Sequence, residues 1–249
     1  MIDPHIVRVL LRRELRDQWH DARGWWLLCA WLLVAGLLWA GLLSAFLLDS
    51  AAGSSLPDPT MQQLVVPWCG NLTVILLVMV PALSMRSFAE ERAVGRLAHL
   101  LLSPAKPAEV LLAKLLALVV SVAVLVGTAA LFPVTIIGWG DLDPRWTTVA
   151  LGALFIQGVL CSMWGALASL SCRTLTQAFL LSFSGCVLWW LLGWVDPSPT
   201  SLASQLSLSG HLRDPLQGVI KISDLAWLLG AGVVLWVAAL ERLRLEPWT

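Results

Sequence analysis

The sequence predicts an all-α polytopic membrane protein with six transmembrane helices, an N-terminal interfacial helix and a short cytoplasmic helix between the second and third spans. Three observations carry that prediction. Hydrophobic residues make up 58% of the 249 positions and charged residues only 13%, about half the roughly 25% of soluble domains. Mean hydropathy is +0.81. The apolar runs approach the about 20 residues that cross hydrocarbon as a helix, the fold that bonds its own backbone polar groups internally.

Taken in order, Asp3 and Pro4 make a helix start, with an N-cap carboxylate and proline at the first helical position. Val7, Leu11, Leu15, Trp19 and Ala22 then form an apolar stripe beside Arg8, Arg12 and Arg16, while Ile6, Val9 and Leu10 fall off it. Residues 1–24 are thus read as an amphipathic helix on the membrane surface that turns at Gly24, the alternative being a solvated basic tail. The apolar run that follows lacks a small-residue cleavage site and is too long for a signal peptide, so it is expected to remain as an anchor. Residues 25–249 form the six-helix domain.

Its spans are Trp25 to Leu48, Cys69 to Met85, Ala108 to Ile137, Thr147 to Ser171, Leu175 to Val195 and Leu225 to Leu240. The second and sixth are short. Pro133 should kink the third near its outer end, and Lys114, near its start, is expected to snorkel to the surface. With both termini cytoplasmic, thirteen of the sixteen lysines and arginines lie inside and only Arg145, Arg213 and Lys221 outside, a strong positive-inside asymmetry. Fifteen tryptophans and no tyrosine fit the class, with Trp25, Trp26, Trp139, Trp146, Trp194 and Trp248 near span ends. Gly36 with Ala40, Gly41 with Ala45 and Gly165 with Ser169 are read as intramolecular packing pairs in preference to a dimer face. The five scattered cysteines, without a CxxC pair, are read as small core residues.

The loop at 86–107 stands out. Met85 to Lys114 holds five of the sixteen basic residues and three of the sixteen acids. On a helix, Val94, Leu97, Ala98 and Leu101 share one face, with Arg92, Arg96 and His99 opposite. Ser103 and Pro104 end that helix, and Pro107 with Glu109 begins the next. A connection of this length exceeds the common two to eight residues and points to function. The outer segment 196–223 is not strongly polar, but its apolar runs are too short to span, and it is read as one or two short helices that dip into the outer leaflet, shielded by protein.

Catalytic signatures are absent. There is no G-x-x-x-x-G-K-[ST] loop, no HExxH and no GxSxG. His5, His20, His99 and His211 are dispersed, and the spacing of His211 and Asp214 comes with no nucleophile. A net charge of zero gives no bulk attraction to nucleic acid. The spans lack the ionisable residues of ion-coupled carriers. The chain reads as a non-enzyme that binds no cofactor of its own.

Phe88, Ala89, Glu90, Glu91, Arg92, Gly95, Leu97, Leu100, Leu101, Ser103, Pro104 and Lys114 resemble the first cytoplasmic loop of ABC-2-type transporter permeases, with Arg96, Ala98, His99 and Leu102 departing from the family pattern. His211, Gly218, Val219, Ile220 and Asp224 are similar to the segment before the last span of the gliding-motility-type ABC permease subunit, its F subunit, while Leu212, Pro215 and Lys221 depart. The resemblance implies a permease in a bacterial cytoplasmic (inner) membrane, coupling ATP hydrolysis on separate ABC ATPase subunits, which hold the MgATP, to export or envelope work. It implies a second permease copy or paralogue as partner and an auxiliary subunit with a large extracytoplasmic domain, besides membrane lipid. It implies a coupling helix, with Glu90, Glu91, Arg92, Val94, Gly95, Arg96, Leu97, Leu101, Ser103 and Pro104 as ATPase-coupling residues and His211, Gly218 and Asp224 as an outer motif. The alternative is a non-transporting membrane scaffold anchoring an envelope or motility complex.

Overall fold

The computed structural model describes residues 3–20, 22–51, 64–93, 106–136, 144–195 and 201–245. These form helices α1 (Pro4–His20), α2 (Ala22–Ala51), α3 (Val66–Ser84), α4 (Arg86–Ala93), α5 (Pro107–Ala129), α6 (Leu131–Val134), α7 (Pro144–Ser171), α8 (Leu175–Val195), α9 (Leu202–Leu206), α10 (Leu208–Leu216) and α11 (Ile222–Arg244), and no strand occurs among the described residues. Six are long and apolar enough to cross a membrane: α2, α3 with its continuation α4, α5 with α6, α7, α8 and α11. The chain is an all-α, multi-pass membrane protein.

Each helix begins where local chemistry allows it. Asp3 Oδ1 accepts from the His5 N–H at 2.9 Å, the expected N-cap. Pro67 sits in the first turn of α3, where a missing N–H costs nothing. Pro107 does the same for α5, and Glu109 Oε2 reaches back to accept the Lys106 N–H at 3.0 Å.

The spans divide into two sets. Over the most apolar window of each, α3, α5 and α7 are 56–61% buried, whereas α2, α8 and α11 are 17–22% buried. The first three form the protein core and the others stand at its lipid-exposed periphery. Indole groups fix part of this arrangement: fully buried Trp31 donates from Nε1 to the Leu125 carbonyl at 2.8 Å, and Trp68 to the Ala35 carbonyl at 3.0 Å. These bonds join α2 to α5 and α3 to α2, and each satisfies an indole N–H that lipid would leave unpaired. Trp25, Trp26, Trp146 and Trp194 are exposed near helix ends, as interface rings are. The five cysteines are free.

Several boundaries differ from the sequence reading. The second span continues past a one-residue break at Met85 into α4, because the polar side chains of α4 find partners inside the protein. The last runs from Ile222 to Arg244, with Arg242 and Arg244 favourably placed in its final turn. α5 breaks at Ala130, just before Pro133, which removes an N–H and places Leu131–Val134 as a separate turn. The chain turns between α1 and α2 before Gly24, which lies inside α2; a Cβ there would overlap the Gln18 carbonyl, so glycine permits the close return of α2 along α1. In the outer segment, two short helices, α9 and α10, pack against α8 and α7.

Gly165 sets the closest approach in the core. A Cβ at this position would overlap Ser84 Oγ and lie 2.6 Å from Ser84 Cβ. The glycine therefore seats α7 on α3 within the molecule. Gly165→Ala is expected to destabilise the protein by about 2 kcal/mol, the cost of overpacking, read as a lowered thermal midpoint in detergent. An unchanged midpoint would show that the contact can relax.

Candidate functional site

The site grows from a break in the second span. Pro81 removes one backbone donor within α3, the helix turns at Met85, and α4 sets off at Arg86. A new helix start exposes unpaired N–H groups. Ser169 of α7 meets them: its Oγ accepts from the Phe88 and Ala89 N–H groups at 3.1 and 2.9 Å and donates to the Met85 carbonyl at 2.9 Å. A serine on a neighbouring span thus does what an N-cap serine does within a chain. Phe88 and Ala89 are fully buried, and Phe88 packs among Val110, Leu111, Leu115 and Leu170.

Behind Phe88 lies a buried charge cluster. Lys114 Nζ of α5 is 2.8 Å from Glu14 Oε1 of α1 and 3.0 Å from Glu91 Oε2 of α4, and stands 5.1 Å from the centre of the Phe88 ring. Its side chain is 2% exposed, with Glu14 at 17% and Glu91 at 15%. The expected snorkelling of Lys114 does not occur, because two carboxylates and an aromatic face receive the ammonium inside the protein. One cation serves two anions. Burial raises the Glu14 carboxyl above its ordinary value of 4.5, Lys114 opposes the rise, and Glu91 and Asp17 add to it.

The same region ties α1 along the first half of α5. Glu109 Oε1 accepts the Asp3 N–H at 2.9 Å, and Ser121 Oγ donates to Gln18 Oε1 at 2.7 Å. On the far side of α4, Arg92 donates to the Cys172 carbonyl and, at 2.8 Å, to that of Leu170. These lie at the C-terminal end of α7, where carbonyls lack helical partners and a cation is favoured. Glu90 accepts from Arg86 one turn away at 2.8 Å.

Of the coupling residues read from sequence, Glu90, Glu91 and Arg92 are therefore described, and each engages the protein itself. Val94, Gly95, Arg96, Leu97, Leu101, Ser103 and Pro104 lie outside the described residues. Sequence reasoning missed Glu14 and Ser169, whose partners are 100 and 80 or more positions away and leave no local pattern.

The outer motif does converge. His211 Nδ1 lies 2.8 Å from Asp224 Oδ1, and Nε2 lies 2.9 Å from the Gln205 carbonyl. A carbonyl only accepts, so the contact to Gln205 is a hydrogen bond when Nε2 carries the hydrogen. The ring stacks on Trp227 at 4.2 Å. Gly218 has φ +83°, and the Gly218 N–H reaches the Pro215 carbonyl while the Val219 N–H reaches that of Asp214, both at 3.0 Å. This pair of bonds closes α10 as a Schellman motif and turns the chain toward α11. Together these contacts clamp α10 to the start of α11. Among the described residues, no group of three or more His, Cys, Asp or Glu converges to hold a metal ion.

No protein-family model matches the chain, and no curated protein matches it in sequence.

Two outcomes test the buried cluster. Lys114→Met strands two buried carboxylates and is expected to cost about 3 kcal/mol, whereas adding Glu14→Gln and Glu91→Gln should restore much of the thermal midpoint. Because the native carboxyl of Glu14 titrates above the unfolded one, wild-type stability falls as pH rises from 4.5 toward that raised value. Glu14→Gln should remove this fall, so the variant gains on wild type across that interval in paired thermal melts and matches it below. A constant difference at all pH values would contradict the assignment.

Proposed function

We propose that the chain is the permease subunit of an ATP-binding cassette exporter of the ABC-2 type, with ATP hydrolysis on separate subunits. The observation that carries this reading is the anchoring of α4. The helix that leads into residues 94–105 is held by Glu91 to Lys114, by Arg92 to the end of α7, and by Ser169 and Phe88 to the core. A connector that served only to join two spans needs no such anchoring, whereas a lever through which an outside motor moves spans does. The resemblance of the 88–104 motif to permease coupling loops, and the absence of a phosphate loop from the sequence, support the same reading.

In this scheme Glu90, Glu91 and Arg92 position the lever, while Val94, Leu97 and Leu101 present its apolar face to the ATPase. A second permease, copy or paralogue, would pack on one of the exposed spans, and both termini would lie in the cytoplasm of a bacterial inner membrane. The middles of the six spans carry no Asp, Glu, Lys, Arg or His, which suits amphipathic or lipid-like cargo better than ions. The outer clamp of His211 and Asp224 faces the side where an extracytoplasmic partner would act.

Affinity purification of the tagged chain from co-expressing membranes is expected to recover a phosphate-loop ATPase. Leu97→Glu should lower that recovery roughly tenfold or more, the loss of one buried apolar anchor, with normal membrane insertion. Recovery of no ATPase by the wild type would overturn the function, and undiminished recovery by the variant would overturn the docking face.

A further inference from the structure

Between α1 with the start of α2 on one side and α3 with α4 on the other lies a cleft of about 400 Å³. Its polar wall carries Glu14, Asp17, Glu90 and Glu91 against Arg86 and Lys114. Lys114 is already shared by Glu14 and Glu91, Arg86 meets Glu90, and among the described residues Asp17 pairs with Arg13 at 3.9 Å on the exposed surface. Among the described residues that line the cleft, four carboxylates thus face two permanent cations.

A second feature points to a ligand. Ser87 lines the same cleft, is 8% exposed, and its buried hydroxyl has no hydrogen-bond partner. Buried hydroxyls are normally bonded, and an orphan beside a surplus of carboxylates is matched by a cation that also donates hydrogen bonds. Among the described residues the acids are too dispersed to ligate a metal ion. A primary ammonium, with three N–H donors, fits the chemistry; a quaternary ammonium, with none, does not.

The opposite wall identifies the source of that ammonium. Gly24 and Leu27 open the α2 span, Leu83 lies at the end of α3, and the α2 span is only 17% buried within the protein. The cleft therefore lies where lipid headgroups meet the spans, with apolar surface continuing from it along α2. Arg86 and His20, also in its lining, stand where a phosphate beside the ammonium would be received.

We infer that this cleft binds a membrane lipid whose headgroup pairs a primary ammonium with a phosphate, as phosphatidylethanolamine does. The ammonium is held by the carboxylates and Ser87 Oγ, and the phosphate by Arg86 and His20. The bound headgroup would join the lipid-exposed start of α2 to α4 beside the Lys114 cluster, placing a lipid contact at the base of the 94–105 loop. Occupancy requires no ATPase.

The test uses the full chain in nanodiscs of equimolar phosphatidylethanolamine and phosphatidylcholine with matched acyl chains, read by native mass spectrometry of retained lipid. Wild type is expected to retain the ethanolamine lipid several-fold over the choline lipid. The double variant Ser87→Ala, Asp17→Asn, which removes no contact between helices, should bring that ratio close to one at an unchanged thermal midpoint. Equal retention by wild type overturns the inference, as does a ratio unmoved in the double variant; a cleft filled by a basic side chain of another protein gives the first of these. Displacement of the lipid by millimolar free phosphoethanolamine overturns the assignment to a membrane lipid.

Discussion

A lysine ammonium held between two carboxylates at the edge of an apolar bundle governs the arrangement of this protein. Lys114 sits on α5, Glu14 on α1 and Glu91 on α4, so the three charges meet only if all three helices are in place. Each ion alone in this setting would carry a desolvation penalty of several kcal/mol. Their attraction offsets it only in the assembled geometry, which makes the cluster a selector of arrangement more than a source of net stability. Displacing α4 alone would expose the ammonium on one side and strand Glu91 on the other. α1 and α4 are consequently bound to the same point on α5.

That point is rigid because its surroundings are packed. Phe88 closes over the ammonium and seats in the apolar cluster formed by α5, α7 and α11. Ser169 and Arg92 fasten α4 to α7 at two successive places, one through backbone N–H groups at its start and one through the α7 carbonyl end. The lipid cleft adjoins this assembly on the α2 side. Polar groups are thus concentrated where four helices converge, while the remaining length of the bundle is held by shape, by small residues such as Gly165 and by indole N–H bonds to carbonyls.

Much of this was legible in the sequence, for identifiable reasons. Hydropathy reports the free energy of placing side chains in lipid, so all six spans emerge from it. Caps are local, and Asp3, Pro107 and Glu109 act as their spacing predicts. Hydropathy does not report where a helix ends: the polar run Arg86–Arg92 reads as loop, yet it forms a helix of its own after the break at Met85 and its side chains find protein partners. Lys114 reads as a residue that reaches for water because its acceptor Glu14 lies 100 positions away. The outer motif was visible as a pattern, but its physics was not. Only the fold shows that Gly218 supplies a left-handed turn whose consequence is to aim His211 at Asp224.

The two ends of the molecule are joined by α7. Its 28 residues, Pro144–Ser171, extend about 42 Å at 1.5 Å per residue. One end carries Ser169 and the carbonyls bound by Arg92; at the other, Trp146 packs beneath Gly218, 3.0 Å from where a Cβ would stand. Between them, fully buried Gln157 donates to the Thr73 carbonyl of α3 at 3.1 Å, and Gly165 is pressed against Ser84. No proline interrupts the helix after its first position, and the contact at Gly165 leaves α7 little room to bend against α3. A load placed on α4 would therefore bear on α7 and α3 together, and a shift of α7 would reach the turn that holds the His211 clamp. The route depends on rigid packing rather than on a chain of mobile side chains. At its α4 end the route runs through Ser169, whose hydroxyl bonds the Met85 carbonyl on one side of the break and the Phe88 N–H on the other.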